Sequence, residues 1–219
     1  KLLFNAFELF AQENFLLHFS QLTLGFFDYF FFRFQNFYFS GEKNIQFFHE
    51  DLNSTKFESH FFDYAICRYV LEHLADPLVA IKEAFRIIKP GGSYIAIDMD
   101  GMLFNIFSSN TEFMKSLDKI QKNLNFDLFV GRKIPSLIEK AGFTNVSWNC
   151  QLVQFPKDQI ANEIELTEQR LNFAKPTLIP IFETELATEN FIQTYLSEMK
   201  KNTSTLFYNK FIVVGNKPT

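Results

Sequence analysis

Several ionisable side chains stand where apolar runs of this sequence end. Asp51 closes NIQFFHEDL, Arg68 follows FFDYAIC, and Asp98 and Asp100 close SYIAIDMD. In an open parallel sheet, ligands bind outside the carboxyl ends of the strands, so side chains at such ends are the first candidates for contact with a ligand. Asp98 and Asp100 could be read as half of a metal site, but no third ligand stands near them, and no metal is expected. Cys67 and Cys150 are far apart and have no CxxC or Cys/His spacing, which points to neither a zinc site nor a disulfide framework. Arg68 has two readings: it faces a ligand, or it pairs with Glu72 four residues on. His49, His60 and Trp148 have no constellation around them.

These residues need elements to hold them. ADPLVAIKEAFRIIK reads as an amphipathic helix, with Asp76 as N-cap and Pro77 in the first turn. Leu78, Ile81, Ala84, Phe85 and Ile88 form its expected buried stripe, and Lys82, Glu83, Arg86 and Lys89 its expected wet face. Pro90-Gly91-Gly92 stops the helix, and SYIAIDMD follows as a buried strand. Strands are also expected over 21–29, 44–52, 61–67, 143–155 and 204–217. Helices are expected over 6–18, 108–124, 131–142 (ending at Gly142), 157–173 and 183–201. Near-continuous apolar strands alternating with helices imply an α/β fold, a doubly wound and mostly parallel sheet with an antiparallel C-terminal edge.

The 219 residues suit a single domain, 1–219, with helical additions at 101–135 and 157–203. A net charge of −4 argues against a partner held by phosphate contacts, so no nucleic acid is expected. No run reaches the roughly 18 apolar residues of a membrane span, and stable insertion is not expected. Two cysteines without a framework fit a reducing cytoplasm. A first residue of Lys rather than Met suggests a natural start upstream. The anomaly is 31 Phe, most of them before residue 63, which make 1–43 a Phe-rich front half.

Residues 61–100 resemble the second half of a class I S-adenosylmethionine-dependent methyltransferase, of the type acting on small molecules. The resemblance rests on Phe62-Asp63, Val70-Leu71-Glu72-His73-Leu74, Asp76-Pro77, Arg86 and Lys89-Pro90-Gly91-Gly92 at the family's spacing. GRKIPSLIEKAGFTNV and YNKFIVVGNKP resemble later segments of the same family, so the likeness extends over about 44–217. It implies a Rossmann-like fold, S-adenosylmethionine as cofactor and a small-molecule methyl acceptor. By the same match Asp51 and Leu52 would hold adenine, and Asp28, in GFFDY, the ribose hydroxyls. The other reading of Asp51 is a helix N-cap after the strand.

The family's glycine-rich first turn should fall near Phe4–Glu8, where FNAFE has no glycine. Methyl transfer from a sulfonium is mostly alignment, and a base is needed only if the acceptor must lose a proton. His73 is the candidate base, with packing as its other reading, and Arg68 the candidate contact to cofactor or acidic substrate. The segment 101–135 would roof the acceptor, or only bury a helix on the sheet. The alternative function is a catalytically inactive domain that binds a protein partner, or a second copy of itself, through its Phe-rich surface.

Overall fold

The computed structural model describes residues 15–17, 48, 50–124, 127–155 and 160–219. Its strands are β1 (Phe15–Leu17), β2 (Phe62–Arg68), β3 (Ile88–Asp100), β4 (Ile106–Phe107), β5 (Thr144–Gln154) and β6 (Thr205–Asn216). Its helices are α1 (Pro77–Ile87), α2 (Thr111–Asn123), α3 (Ile134–Ala141), α4 (Ile160–Phe173), α5 (Lys175–Phe182) and α6 (Glu185–Lys200). The sheet order is β1-β2-β3-β6-β4, with β5 also paired to β6. β1, β2 and β3 are parallel, with Leu17 opposite Ile66, Ala65 opposite Tyr94 and Arg68 opposite Ile97. β6 returns against the start of β3: the Gly91 N–H donates to the Lys217 carbonyl and the Lys217 N–H to that of Gly92. This is an α/β, Rossmann-like sheet in which the C-terminal strand β6 pairs antiparallel with β4.

The chain divides into two compact units. The first comprises 1–98, 130–150 and 211–219, the second 99–129 and 151–210. In the first, Ala65, Cys67, Ile81, Ala84, Ile88, Tyr94, Ala96, Ile134, Ile138 and Val213 pack one core around β2, α1, β3 and α3. In the second, Phe113, Leu117, Ile120, Leu171, Leu178, Ile192, Tyr195 and Met199 join the four helices α2, α4, α5 and α6. Burial of each Val, Leu, Ile, Phe or Met among them stabilises by about 1.5–3 kcal/mol.

Local chemistry explains the central unit. Asp76 caps α1, its carboxylate accepting from the Leu78 N–H at 3.0 Å, and Pro77 occupies the first turn. Gly91 has φ +80°, which favours glycine, and Gly92 has no room for a side chain. A Cβ there would strike the Asp63 carbonyl and come within 2.7 Å of Ile88. Gly142 ends α3 in the left-handed region, as expected from its position.

Four expectations are corrected. Phe15–Leu17 is a strand inside the segment read as helix 6–18, whose other residues lie outside those described. Pairing with β2 decides this, and Phe-rich sequence has no period of its own to predict it. Within 44–52, residues 50–52 are not strand; Asp51 instead bridges Ser54 in a tight turn. The buried residues of α1 are Ala80, Ile81, Ala84 and Ile87, while Leu78 and Phe85 are half-buried. Glu83 and Arg86 do not simply face water: they bind each other and the loop 55–59. The helix α5 falls between two expected helices, over a stretch with Pro176 and Pro180.

Candidate functional site

The carboxyl end of β2 gives the best-defined geometry. Arg68 is exposed, and its guanidinium lies over the Tyr69 ring, 4.6 Å from the centroid. Tyr69 has φ +55°, the left-handed region that costs a bulky side chain about 1–2 kcal/mol. The surroundings enforce it. The Tyr69 N–H extends the ladder to the Ile97 carbonyl at 2.9 Å, and two residues later the Leu71 N–H reaches the Asp98 carboxylate, also at 2.9 Å. A single 3-10 turn, Leu71–His73, follows. Leu71 and Glu72 are buried, and His73 Nε2 lies 3.6 Å from the Glu72 carboxylate. Burial lowers the His73 pKa below its usual 6.5, so the imidazole is neutral at pH 7 and able to accept a proton.

Beneath this strand end lie Cys67 and Tyr94, both buried. Burial first, then the neighbouring Asp98 charge, pushes the Cys67 thiol up to about 12, so it is an inert core group. Cys67 and Cys150 are free thiols.

Asp51 and Leu52 form a separate turn. The Asp51 carboxylate accepts from the Asn53 N–H at 2.9 Å and from the Asn53 side chain at 3.2 Å. Leu52 is half-buried and packs on the core of β2 and α1. With Thr55, Ala65, Cys67, Ala84 and Tyr94 it lines a small cavity in that core. Glu83 fixes the turn to α1, because its carboxylate accepts from the Thr55 N–H at 2.9 Å and hydroxyl at 2.7 Å. Arg86 binds Glu83 through Nε at 2.8 Å and Nη2 at 2.7 Å, and the same Nη2 donates to the Phe57 carbonyl.

The structure thus groups Arg68 and His73 at the end of β2, and sets Asp51 and Leu52 on a turn tied to α1. Asp28 and the turn expected at Phe4–Glu8 lie outside the described residues, as does His49. An adenosyl group needs an apolar surface for its base and acceptors for its amino and hydroxyl groups. Asp51 carries a carboxylate acceptor and Leu52 an apolar side chain, the residue types that such a group requires. Among the described residues, no three of His, Cys, Asp and Glu cluster to hold a metal ion.

Sequence reasoning missed two features. Tyr69 carries no local mark of a left-handed conformation. Asp98, read from its place at a strand end, turns out to bond across to the backbone of Leu71, a contact 27 residues away that only the β2–β3 register brings about.

Residues 33–96 match a family described as "Methyltransferase domain". The chain is similar to the demethylmenaquinone methyltransferase of Staphylococcus haemolyticus (strain JCSC1435), 28% identical over 118 residues, or 47% of this chain and 49% of that protein. The corresponding enzyme of Staphylococcus aureus (strain JH9) is 26% identical over 119 residues, covering 48% and 49%. The chain therefore spans about half the length of the curated relatives it matches. Among solved structures it is similar to Haemonchus contortus phosphoethanolamine N-methyltransferase 2 with phosphomonomethylethanolamine and S-adenosylhomocysteine. That match is 20% identical, with TM-score 0.46, over 77% of this chain and 36% of the other. The YcgJ protein of Bacillus subtilis is 17% identical with TM-score 0.43, over 82% of this chain and 74% of the other.

Proposed function

We propose that this chain, whose residues 33–96 match a methyltransferase domain, is an S-adenosylmethionine-dependent methyltransferase that transfers a methyl group to a small-molecule acceptor. One observation supports the reading above others: the matched segment covers β2, α1 and β3 as far as Ala96, and just beyond it Ile97 stands opposite Arg68, where β2 ends. The relatives named for demethylmenaquinone make that compound the first acceptor to assay. A reducing, cytoplasmic setting suits the two free thiols. No helix among the described residues is long and apolar enough to cross a membrane.

The methyl donor supplies its own leaving group, so the protein's work is to bind, orient and exclude water. Asp51 would accept from the adenine amino group, and Leu52 would cover the base. Asp28 would take the ribose hydroxyls. Arg68 would face the donor or an acidic acceptor, and neutral His73 would take a proton from the acceptor. Calorimetric titration with S-adenosylhomocysteine tests the proposal. Micromolar binding supports it, and a folded chain that does not bind refutes it.

A further inference from the structure

From the junction of β2 and β3 we infer that Asp98 is a positioning residue for the donor site, holding the Tyr69–His73 backbone against the end of β3. The inference rests on the methyl-transfer reading. Asp98 is fully buried and follows Tyr94 and Ala96, both core residues, on the inward face of β3. A carboxylate in such a place destabilises the fold unless it is bonded, and here one oxygen takes the Leu71 N–H at 2.9 Å. That N–H opens the 3-10 turn Leu71–His73, where no residue of its own caps it: the turn begins at Val70 with no side-chain bond. Asp98 therefore serves as a cap supplied from the neighbouring strand.

The consequence reaches the strand end. Tyr69 is pinned at its N–H by Ile97, and Leu71 at its N–H by Asp98, so adjacent residues of β3 grip alternate residues of the segment that leaves β2. Two anchored amides, two residues apart, hold the segment that starts at the left-handed Tyr69. Without the second anchor, Tyr69 is free to relax to an ordinary φ, which would swing the peptides of 69–71 at the sheet edge where a ligand of this fold binds.

The test uses the full chain with Asp98→Ala and Asp98→Asn, both measured by thermal unfolding, by calorimetric titration with S-adenosylhomocysteine and by hydrogen exchange at the Leu71 amide. Asparagine keeps an oxygen that can accept from Leu71; alanine does not. Asp98→Asn is expected to bind within about threefold of the wild type, with the Leu71 amide still protected. Asp98→Ala, at a temperature where it is folded, is expected to bind at least about tenfold more weakly, with that amide exchanging freely. Asparagine rescue is the outcome that separates positioning from a need for charge. Tenfold weakening in Asp98→Asn overturns the inference, and so does a folded Asp98→Ala that binds like the wild type. If Asp98→Ala does not fold, the asparagine variant alone decides. Failure of the wild type itself to bind S-adenosylhomocysteine would instead remove the methyl-transfer reading on which the inference stands.

Discussion

Replacing Glu83 by glutamine removes a charge from the clamp that holds the 55–59 loop, and with it the Asp51–Leu52 turn, against α1. The carboxylate accepts two bonds from Arg86, at 2.7 and 2.8 Å, and two from Thr55, at 2.7 and 2.9 Å. A glutamine oxygen in the place of Oε1 can keep the Thr55 bonds and the Arg86 Nη2 bond, but its amide group then meets Arg86 Nε, so that charge-assisted bond is lost and the other loses its anionic acceptor. Such bonds contribute about 1.5–3 kcal/mol each when buried. The Glu83 side chain is only 9% exposed, but Arg86 is 37% exposed, and water screens that end of the pair. The net loss is therefore about 2 kcal/mol, and the unfolding midpoint should fall by about 4–8 °C.

The pH dependence gives a second check on the same residue. Hydrogen bonds from Arg86, then from Thr55, hold the Glu83 carboxyl down to about 2 against its ordinary 4.5. A depressed carboxylate contributes stability that is fully present above the unfolded value and is lost as pH falls through the folded one. The gap between wild type and Glu83→Gln should thus be constant above pH 5, narrow below about 4.5, and close near pH 2. Urea unfolding at pH 7, 4 and 3 measures it. A difference below about 0.5 kcal/mol at pH 7, or one that does not change with pH, refutes the clamp as described.

Gly92→Ala should destabilise by about 2–3 kcal/mol in chemical unfolding, because its Cβ meets the Asp63 carbonyl and Ile88. Lys217→Met should lower stability by about 3 kcal/mol: the buried ammonium donates to the carbonyls of Phe85 and of Ile88, the latter at 2.8 Å, at the end of α1. Asp51→Ala should weaken S-adenosylhomocysteine binding by about tenfold in calorimetry while leaving the melting point within a few degrees, since the described bonds of its carboxylate both go to the exposed Asn53. Once an acceptor is found that must lose a proton, the acid limb of the rate profile should fall below pH 6.5. Burial lowers the His73 pKa, and the neutral base is lost only beneath that value; a limb above 6.5 would exclude His73 as the base.

How much of this was legible in the sequence follows the range of the interactions. The cap at Asp76, the turn at Gly91-Gly92 and the stop at Gly142 depend on neighbours within a few residues, and the sequence shows all three. The face of α1 was harder. Glu83 and Arg86 look like solvated residues until the loop 55–59, some 28 residues earlier, is folded onto them. β1 was misread because the strand exists through its pairing with β2, and phenylalanine suits helix and strand alike. In the candidate site, Arg68 and His73 were visible from their place beside a strand end. The grip of Asp98 on Leu71 was not, because a one-residue change of register between β2 and β3 would abolish it.

Lys217 has a further consequence, for the order in which the molecule is assembled. Its ammonium closes on Phe85 and Ile88, partners 132 and 129 residues earlier, and its backbone pairs with Gly91 and Gly92. The helix and turn it fastens have strong local signals and can form early. Their fastening is among the most distant contacts of the described residues, and loop closure of that length is slow. During synthesis from the N-terminus, the β2–α1–β3 unit must wait with the carbonyls at the end of α1 still hydrated and the flank of β3 unpaired until residues 205–217 emerge. Refolding should therefore show a phase in which α1 is formed but the edge of β3 is still open, and that phase is when the exposed strand is most prone to pair with the wrong chain.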